Sequence, residues 1–303
     1  MNNIHEQFIV SILIILIGYL IKKTGLITKK EGNVLNRIIM NVTLPALILK
    51  VFSTMNIEGE LLLLSLISIL FGVFMYLITK IIFKNEPRED RGILIISNIG
   101  FNIGLFAYPF VESIWGAKGL QYIAMFDMGN AVTIFGLAYI VAAMHSPNTV
   151  QIDVKYILKK MFTFVPFVSY IITLIISFSH IQLPSLMMKV ISNISMANNF
   201  LVLLVLGIYL DFSFEKSQIK KIVKFISVKY SIGIVVAIIL YKILPFGPLF
   251  NATVLLGLIL PTGMAVLPYT IENQLNDKIA GGVINLTNII SFGLMWFIFS
   301  IVH

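Results

Sequence analysis

Hydrophobic and polar positions come in blocks along this chain rather than alternating. Ten apolar stretches, at residues 8–21, 34–52, 61–83, 92–111, 119–144, 157–179, 186–210, 222–244, 250–271 and 279–302, are separated by short polar loops. A helix of about 20 apolar residues crosses the roughly 30 Å hydrocarbon layer of a bilayer. The pattern therefore predicts an all-α membrane protein with ten transmembrane helices. The first stretch reads as a retained helix: Met1 to Gln7 carries no Lys or Arg, Lys22 and Lys23 follow the stretch, and no small-residue cleavage site is visible.

Two of the apolar stretches are interrupted by residues that suit a helix poorly. Span 4 contains Ser97-Asn98-Ile99-Gly100-Phe101-Asn102-Ile103-Gly104-Leu105-Phe106-Ala107-Tyr108-Pro109, and span 9 contains Leu260-Pro261-Thr262-Gly263-Met264-Ala265-Val266-Leu267-Pro268. Glycine weakens a helix, and proline removes a donor and clashes with the preceding turn. Lipid cannot satisfy the freed backbone groups, so such breaks persist only inside protein or beside a water-filled cavity. Paired breaks in corresponding halves of a chain point to a transporter's binding site.

The loops set orientation and symmetry. Eighteen of the 22 Lys and Arg residues, Lys229 among them, are assigned to the loops after spans 1, 3, 5, 7 and 9. Cytoplasmic loops carry this positive excess, which predicts that both termini lie outside the cell membrane. The longest polar break, His145 to Tyr156, divides the chain into a first five-helix repeat (1–145), a cytoplasmic linker (146–156) and a second five-helix repeat (157–303). An odd number of spans per half forces opposite orientations. The breaks then fall in the fourth span of each half, and Phe135-Gly136-Leu137 in span 5 matches Phe292-Gly293-Leu294 in span 10. This predicts an inverted-topology repeat.

Composition narrows the function further. The chain is 58% hydrophobic and 12% charged, against roughly 25% charged in a soluble domain. Its net charge of +8 reflects membrane orientation and not a nucleic-acid partner. With no cysteine, disulfides, thiolate metal sites and cysteine catalysis are excluded. The histidines His5, His145, His180 and His303 have no metal-ligand spacing, and no phosphate-binding G-x-x-x-x-G-K-[ST] loop is present. No cofactor, metal or enzymatic activity is expected.

The candidate chemistry lies at the breaks. A half-helix N-terminus near mid-membrane offers unpaired N–H groups and a partial positive charge, which suits an anion such as a carboxylate. Simple kinking of packed helices is the competing reading; the symmetric placement, with Asn, Gly and Thr alongside, favours a site. Asn98 and Asn102, spaced i, i+4, would share a face if that half stays helical. Asp127 is the one acidic residue well inside a span, with Asn130 at i+3. A carboxylate there costs about 2.5 kcal/mol or more and is a functional-site hypothesis. It is either a proton or cation site, or a structural carboxylate hydrogen-bonded to the broken backbone of span 4. Asn285 and Asn288 read as packing or cavity-lining groups, Pro45 as a kink in span 2, and Glu112, Asp211 and Glu272 as interfacial. The expected substrate-binding set is Asn98, Asn102, Pro109, Asp127, Asn130, Pro261, Thr262, Gly263 and Pro268, with Asp127 as the coupling-ion candidate.

Gly25-Leu26-Ile27, Val42-Thr43-Leu44-Pro45, Phe126-Asp127-Met128-Gly129-Asn130-Ala131 and Leu260-Pro261-Thr262-Gly263 resemble, in order and placement, the auxin efflux carrier family and its bacterial malate-permease-like members. The resemblance implies two inverted five-helix repeats with crossover helices 4 and 9, and a homodimer. It also implies a scaffold of helices 1, 2, 6 and 7 beside a transport unit of helices 3–5 and 8–10 that moves as an elevator. The family's crossover asparagine falls on Asn102, seven residues before Pro109, and its second crossover proline on Pro261. The expected function is secondary active or facilitative transport of small mono- or dicarboxylates such as malate by alternating access. Export of one negative charge from a negative interior gains about 2.3 kcal/mol per 100 mV, so efflux needs no coupling ion, whereas uptake calls for protons or sodium. The alternatives are a sodium-coupled organic-anion symporter of the bile-acid type and a non-transporting membrane sensor that kept the fold.

Overall fold

A computed structural model describes residues 2–53, 55, 59–148, 154–179, 181–211 and 216–302. Parts of the predicted linker (149–153) and the histidines His180 and His303 lie outside the described residues. The described chain is helical, with a single isolated bridge between Phe101 and Thr262 as its one extended pairing.

In order, the helices are α1 (Asn2–Lys23), α2 (Lys29–Ile38), α3 (Leu44–Ser53), α4 (Gly59–Ile82), α5 (Arg88–Ile99), α6 (Tyr108–Val132) and α7 (Tyr139–His145). There follow α8 (Val154–Thr163), α9 (Val165–Phe178), α10 (Ser185–Tyr209), α11 (Ile219–Ile243), α12 (Pro248–Gly257), α13 (Val266–Glu272) and α14 (Asp277–Val302). Wide π-helical turns join α2 to α3 at Ile39–Thr43, lead into α6 at Ile103–Ala107, and join α6 to α7 at Thr133–Ala138. Among the described residues, seven helical runs are long and apolar enough to cross a membrane by themselves, or eight if the bent pair α8–α9 is one span. The chain is thus an all-α membrane protein.

Local chemistry explains several boundaries. α2 begins at a capping box: Glu31 N donates to Thr28 Oγ1 at 3.3 Å, and Thr28 N donates to the Glu31 carboxylate at 2.7 Å. Pro45 and Pro109 each sit two residues past the end of a π-helical turn. A proline ring clashes with the carbonyl four residues earlier, and a widened turn moves that carbonyl away. Pro109 therefore lies inside a helical run rather than breaking one. Gly116, at φ +63° and ψ −158°, turns α6 sharply between 108–115 and 117–132, a conformation that needs glycine. The stretch expected as one straight span over 157–179 bends by 78° at Phe164, with Pro166 opening the second piece.

The helices pack as two groups. α1, α2 and α3 gather around α10, with α9 packed on α3, while α4 through α7 and α11 through α14 pack mainly on one another. Lipid tails are as apolar as leucine, so close backbone approach and not a hydrophobic drive holds such helices together. A Cβ on Gly18 would run into the Leu204 carbonyl and one on Gly207 into that of Ile15, where α1 meets α10; one on Gly129 would strike the Ser65 backbone, where α6 meets α4. The seam between α1 and the second group is aromatic. Phe8 stacks on Phe110 (5.2 Å between ring centres) and on Trp296 (5.3 Å), with Phe292 and Phe299 around them.

Candidate functional site

The two broken segments meet. Helix α5 ends at Ile99 and α12 at Gly257, and the extended residues that follow each of them pair with each other. Asn102 N donates to Pro261 O at 2.8 Å and Gly263 N to Gly100 O at 3.3 Å. Thr262 Oγ1 donates to Ser97 O at 2.9 Å, while Thr262 N donates to Thr287 Oγ1 of α14 at 3.2 Å. These bonds satisfy backbone groups that lipid would leave unpaired, each at a cost of several kcal/mol. A Cβ on Gly100 would collide with Ile134, so only glycine lets the strand-like segment lie this close to the start of α7's π-helical lead-in.

Asn130 holds the first segment in place. Its Oδ1 accepts from Phe101 N at 2.8 Å and its Nδ2 donates to Phe101 O at 3.0 Å, so one amide imitates a neighbouring strand. The same Nδ2 donates to Asp127 Oδ1 at 3.0 Å. Asp127 Oδ2 accepts from the Tyr170 hydroxyl at 2.7 Å and the Tyr108 hydroxyl at 3.1 Å, and the two hydroxyls also touch. Asp127 thus reaches the broken backbone through Asn130 rather than directly, and it ties α6 to α9.

A cavity of about 780 Å³ runs from the exposed residues Lys29, Lys30 and Asn33 down to the crossing. That is within the range of small-molecule sites. At its inner end it is lined by Phe101, Asn102, Ile103, Gly104, Asp127 and Asn130 on one side and by Gly263 to Ala265 and Pro268 on the other, with Tyr170 and Asn285 also contributing. Asn102 Nδ2 is buried there without a hydrogen-bond acceptor among the described residues, a free donor beside open space.

The predicted residues separate into groups. Asn102, Asp127, Asn130, Gly263 and Pro268 line the cavity. Pro261 and Thr262 are buried in the crossing and serve its backbone pairing. Asn98 donates back to Leu94 O at 2.8 Å and does not line the cavity; α5 stops at Ile99, so the expected helical face shared with Asn102 does not form. Pro109 is likewise buried away from it. Asn285 is cavity-lining, accepting from Asp211 N at 3.1 Å, and Asn288 is not.

Lys229, assigned above to a cytoplasmic loop, is inside α11, 3% exposed, with its ammonium 4.6 Å from the centre of the Phe101 ring. It leaves the orientation count for a simple reason: a single lysine does not end an apolar helix when its charge can be buried in protein. Tyr108, Tyr170 and Thr287 also escaped the sequence reading. Tyrosine and threonine are common in spans, and nothing in their local pattern marks the partners they meet.

Glu272, expected to be interfacial, forms a polar node at the end of α13. It accepts from the Tyr139 hydroxyl at 3.1 Å and the Tyr156 hydroxyl at 3.2 Å and pairs with Lys160. The Lys160 ammonium lies 4.2 Å from the Tyr139 ring centre. Burial pushes the Glu272 carboxyl up, but Lys160 and the tyrosine hydroxyls outweigh it and leave it below the usual glutamate value.

Comparison with known proteins gives the family. Residues 4–299 match the family described as "Membrane transport protein". An uncharacterised transporter of Methanocaldococcus jannaschii is 26% identical over 216 residues, 68% of each chain. An uncharacterised transporter of Methanothermobacter thermautotrophicus is 22% identical over 291 residues, 94% of each chain. With broken helices crossing over a cavity and a family match over nearly its whole length, the chain belongs to the membrane transport family of auxin efflux carriers, whose business is moving a solute rather than transforming one.

Proposed function

We propose that this protein carries small organic anions, mono- or dicarboxylates such as malate, across the cell membrane by alternating access at the crossing. One observation carries the reading: the cavity ends on the crossed backbone, beside the free amide donor of Asn102 and the start of the helical run at Ile103. Unpaired donors at a helix start favour a carboxylate. Lys29 and Lys30 at the cavity mouth favour anions over cations on entry.

The substrate-binding set in this reading is Asn102, Asp127, Asn130, Gly263 and Pro268, with Tyr170 added. Pro261 and Thr262 hold the crossing. An ionised Asp127 beside a bound carboxylate would repel it. One proton on Asp127 removes that repulsion, which favours proton coupling when the direction is uptake.

The ten apolar stretches, taken with both broken helices as single spans, support ten spans in two inverted repeats, 1–145 and 157–303. The gathering of α1, α2 and α3 on α10, with α9 on α3, supports a scaffold distinct from a moving unit of α4–α7 and α11–α14. In this reading both termini are outside, the cavity faces the cytoplasm, and the carrier is a homodimer. The test is flux in proteoliposomes under a clamped voltage, with and without a pH gradient. Carboxylate flux that responds to either is expected, and electroneutral, gradient-independent flux would sink the proposal. Ligand binding with no flux would point to a sensor instead.

A further inference from the structure

Helix α8 stands between the two helix groups. It leads into α9, which packs on α3, but the two helices are bent by 78° at Phe164. On its other side α8 packs on the π-helical turn Thr133–Ala138 of the opposite group. Tyr156 and Lys160, four residues apart, share one side of α8. The Lys160 ammonium pairs with Glu272 and lies 4.2 Å from the ring centre of Tyr139, 5.2 Å from that of Tyr156 and 5.6 Å from that of Tyr269. Tyr139 is on α7 and Tyr269 on α13, and both are buried. The face of an aromatic ring attracts a cation most strongly where water is kept away. Glu272 also accepts from the hydroxyl of Tyr156. One carboxylate and the rings of α7 and α13 therefore hold two residues of α8.

The joint between α8 and α9 is built differently. Phe164 is extended, at φ −81° and ψ 104°, and Pro166 brings no N–H to bond back across it. Hinges in proteins are a few residues at element ends that absorb a change of backbone torsion. Phe162 and Phe167 meet across the joint edge-on, 6.1 Å between ring centres, a contact with shallow angular preference. The Phe164 ring is 4.1 Å from that of Phe135 in the opposite group, and both line the cavity. We infer that α8 is a strap that travels with the moving helices: Lys160 fastens it to α7 and α13, and the chain flexes at Phe164 when the groups shift. The inference rests on the transporter reading and deepens it by naming a part that moves and the joint that allows it. Lys160 is a positioning residue, and its role is to keep the Phe135–Phe164 wall of the cavity intact through the cycle.

The chain has no cysteine, so introduced pairs are its only thiols. In the full chain in proteoliposomes, Lys160→Cys/Glu272→Cys and, separately, Phe162→Cys/Phe167→Cys are joined by a short bifunctional methanethiosulfonate reagent, whose link a reductant removes. Malate and succinate flux are measured before linking, after linking and after reduction. Unlinked Lys160→Cys/Glu272→Cys has lost the fastening and should carry more slowly than the native protein; the link should restore its flux. Linking the second pair freezes the joint and should stop flux, which returns on reduction. A first link that stops flux, a second that leaves it unchanged, or an unlinked first pair that behaves as native would overturn the inference. Spin labels give a readout that needs no cargo. The distance from Leu158→Cys on α8 to Ile271→Cys on α13 should be narrowly distributed, and that from Leu158→Cys to Met196→Cys on α10 broad or two-peaked. All three positions are exposed. If the native protein moves neither acid, the proposed cargo is wrong, and the label distances still decide the strap: any pattern other than the expected one overturns it.

Discussion

The Tyr170 hydroxyl donates to Asp127 Oδ2 at 2.7 Å and joins α9 to α6 at the inner end of the cavity. Tyr170 is on α9, which packs on α3 of one helix group, and Asp127 is on α6 of the other, so this bond spans the boundary between the groups. Leaving a buried polar group without its partner costs about 1–3 kcal/mol. Tyr170→Phe should loosen that boundary, shifting the balance of inward- and outward-open forms and changing flux without unfolding the protein. Single-molecule distance measurements across α9 and α6, together with flux, check it; unchanged populations would refute the tie.

Asp127→Asn keeps the shape of the side chain while removing its charge and its proton. The expected outcome is a folded protein whose flux no longer varies with pH, compared with a native protein whose uptake rises as pH falls. A variant with the native pH profile would move the proton site elsewhere.

Asn130 is costly to remove. Its amide satisfies Phe101 N and O, both buried. Each unsatisfied buried group costs about 1–3 kcal/mol. Asn130→Ala should therefore lower the melting temperature and abolish flux together, whereas Asn102→Ala, which removes a donor that has no partner, should abolish or weaken flux with little loss of stability. Thermal unfolding and flux on the two variants separate the roles of clamp and ligand.

Gly129→Ala should be among the most disruptive small substitutions, because the added methyl meets Ser65 backbone and not a flexible side chain. Overpacking of this kind costs about 1–3 kcal/mol. Gly136→Ala, with open space around its Cβ position, should be neutral by the same thermal measurement.

The Glu272 node gives a pH dependence with a definite sign. Its carboxyl lies below the ordinary value in the folded protein, so its contribution is present above the unfolded value and is lost as pH falls through the folded one. Native protein should lose stability in that acid range more steeply than Glu272→Gln, as read from melting temperature against pH. The glutamate is partly exposed, and solvent screening keeps the difference small.

Much of this architecture was legible in the chain. Apolar blocks located the membrane helices because hydrocarbon tolerates few alternatives to a helix, and Gly100, Asn102, Pro261 and Gly263 located the crossing because they suit broken backbone. Asp127 stood out because a carboxylate is rare at that depth. Other features were hidden for physical reasons. Whether a proline ends a helix depends on whether a widened turn absorbs it, as at Pro45 and Pro109, and that is settled by packing. The bend at Phe164 and the turn at Gly116 are settled the same way. Lys229 read as a loop residue because charge near a helix end is ordinarily solvated, and only the fold places the Phe101 ring beside it.

The rings around Phe8 have a mechanical consequence. Phe8, Phe110, Phe292 and Trp296 come from α1, α6 and α14, and they join the two helix groups with contacts that have shallow angular preferences. Such faces exchange one partner ring for another without passing through a broken hydrogen bond. The joint between the groups is thus cushioned by rings at α1, while directional bonds cross it elsewhere, from Tyr170 to Asp127, Gln121 to Val51 O, Trp296 to His5 and Asp211 N to Asn285.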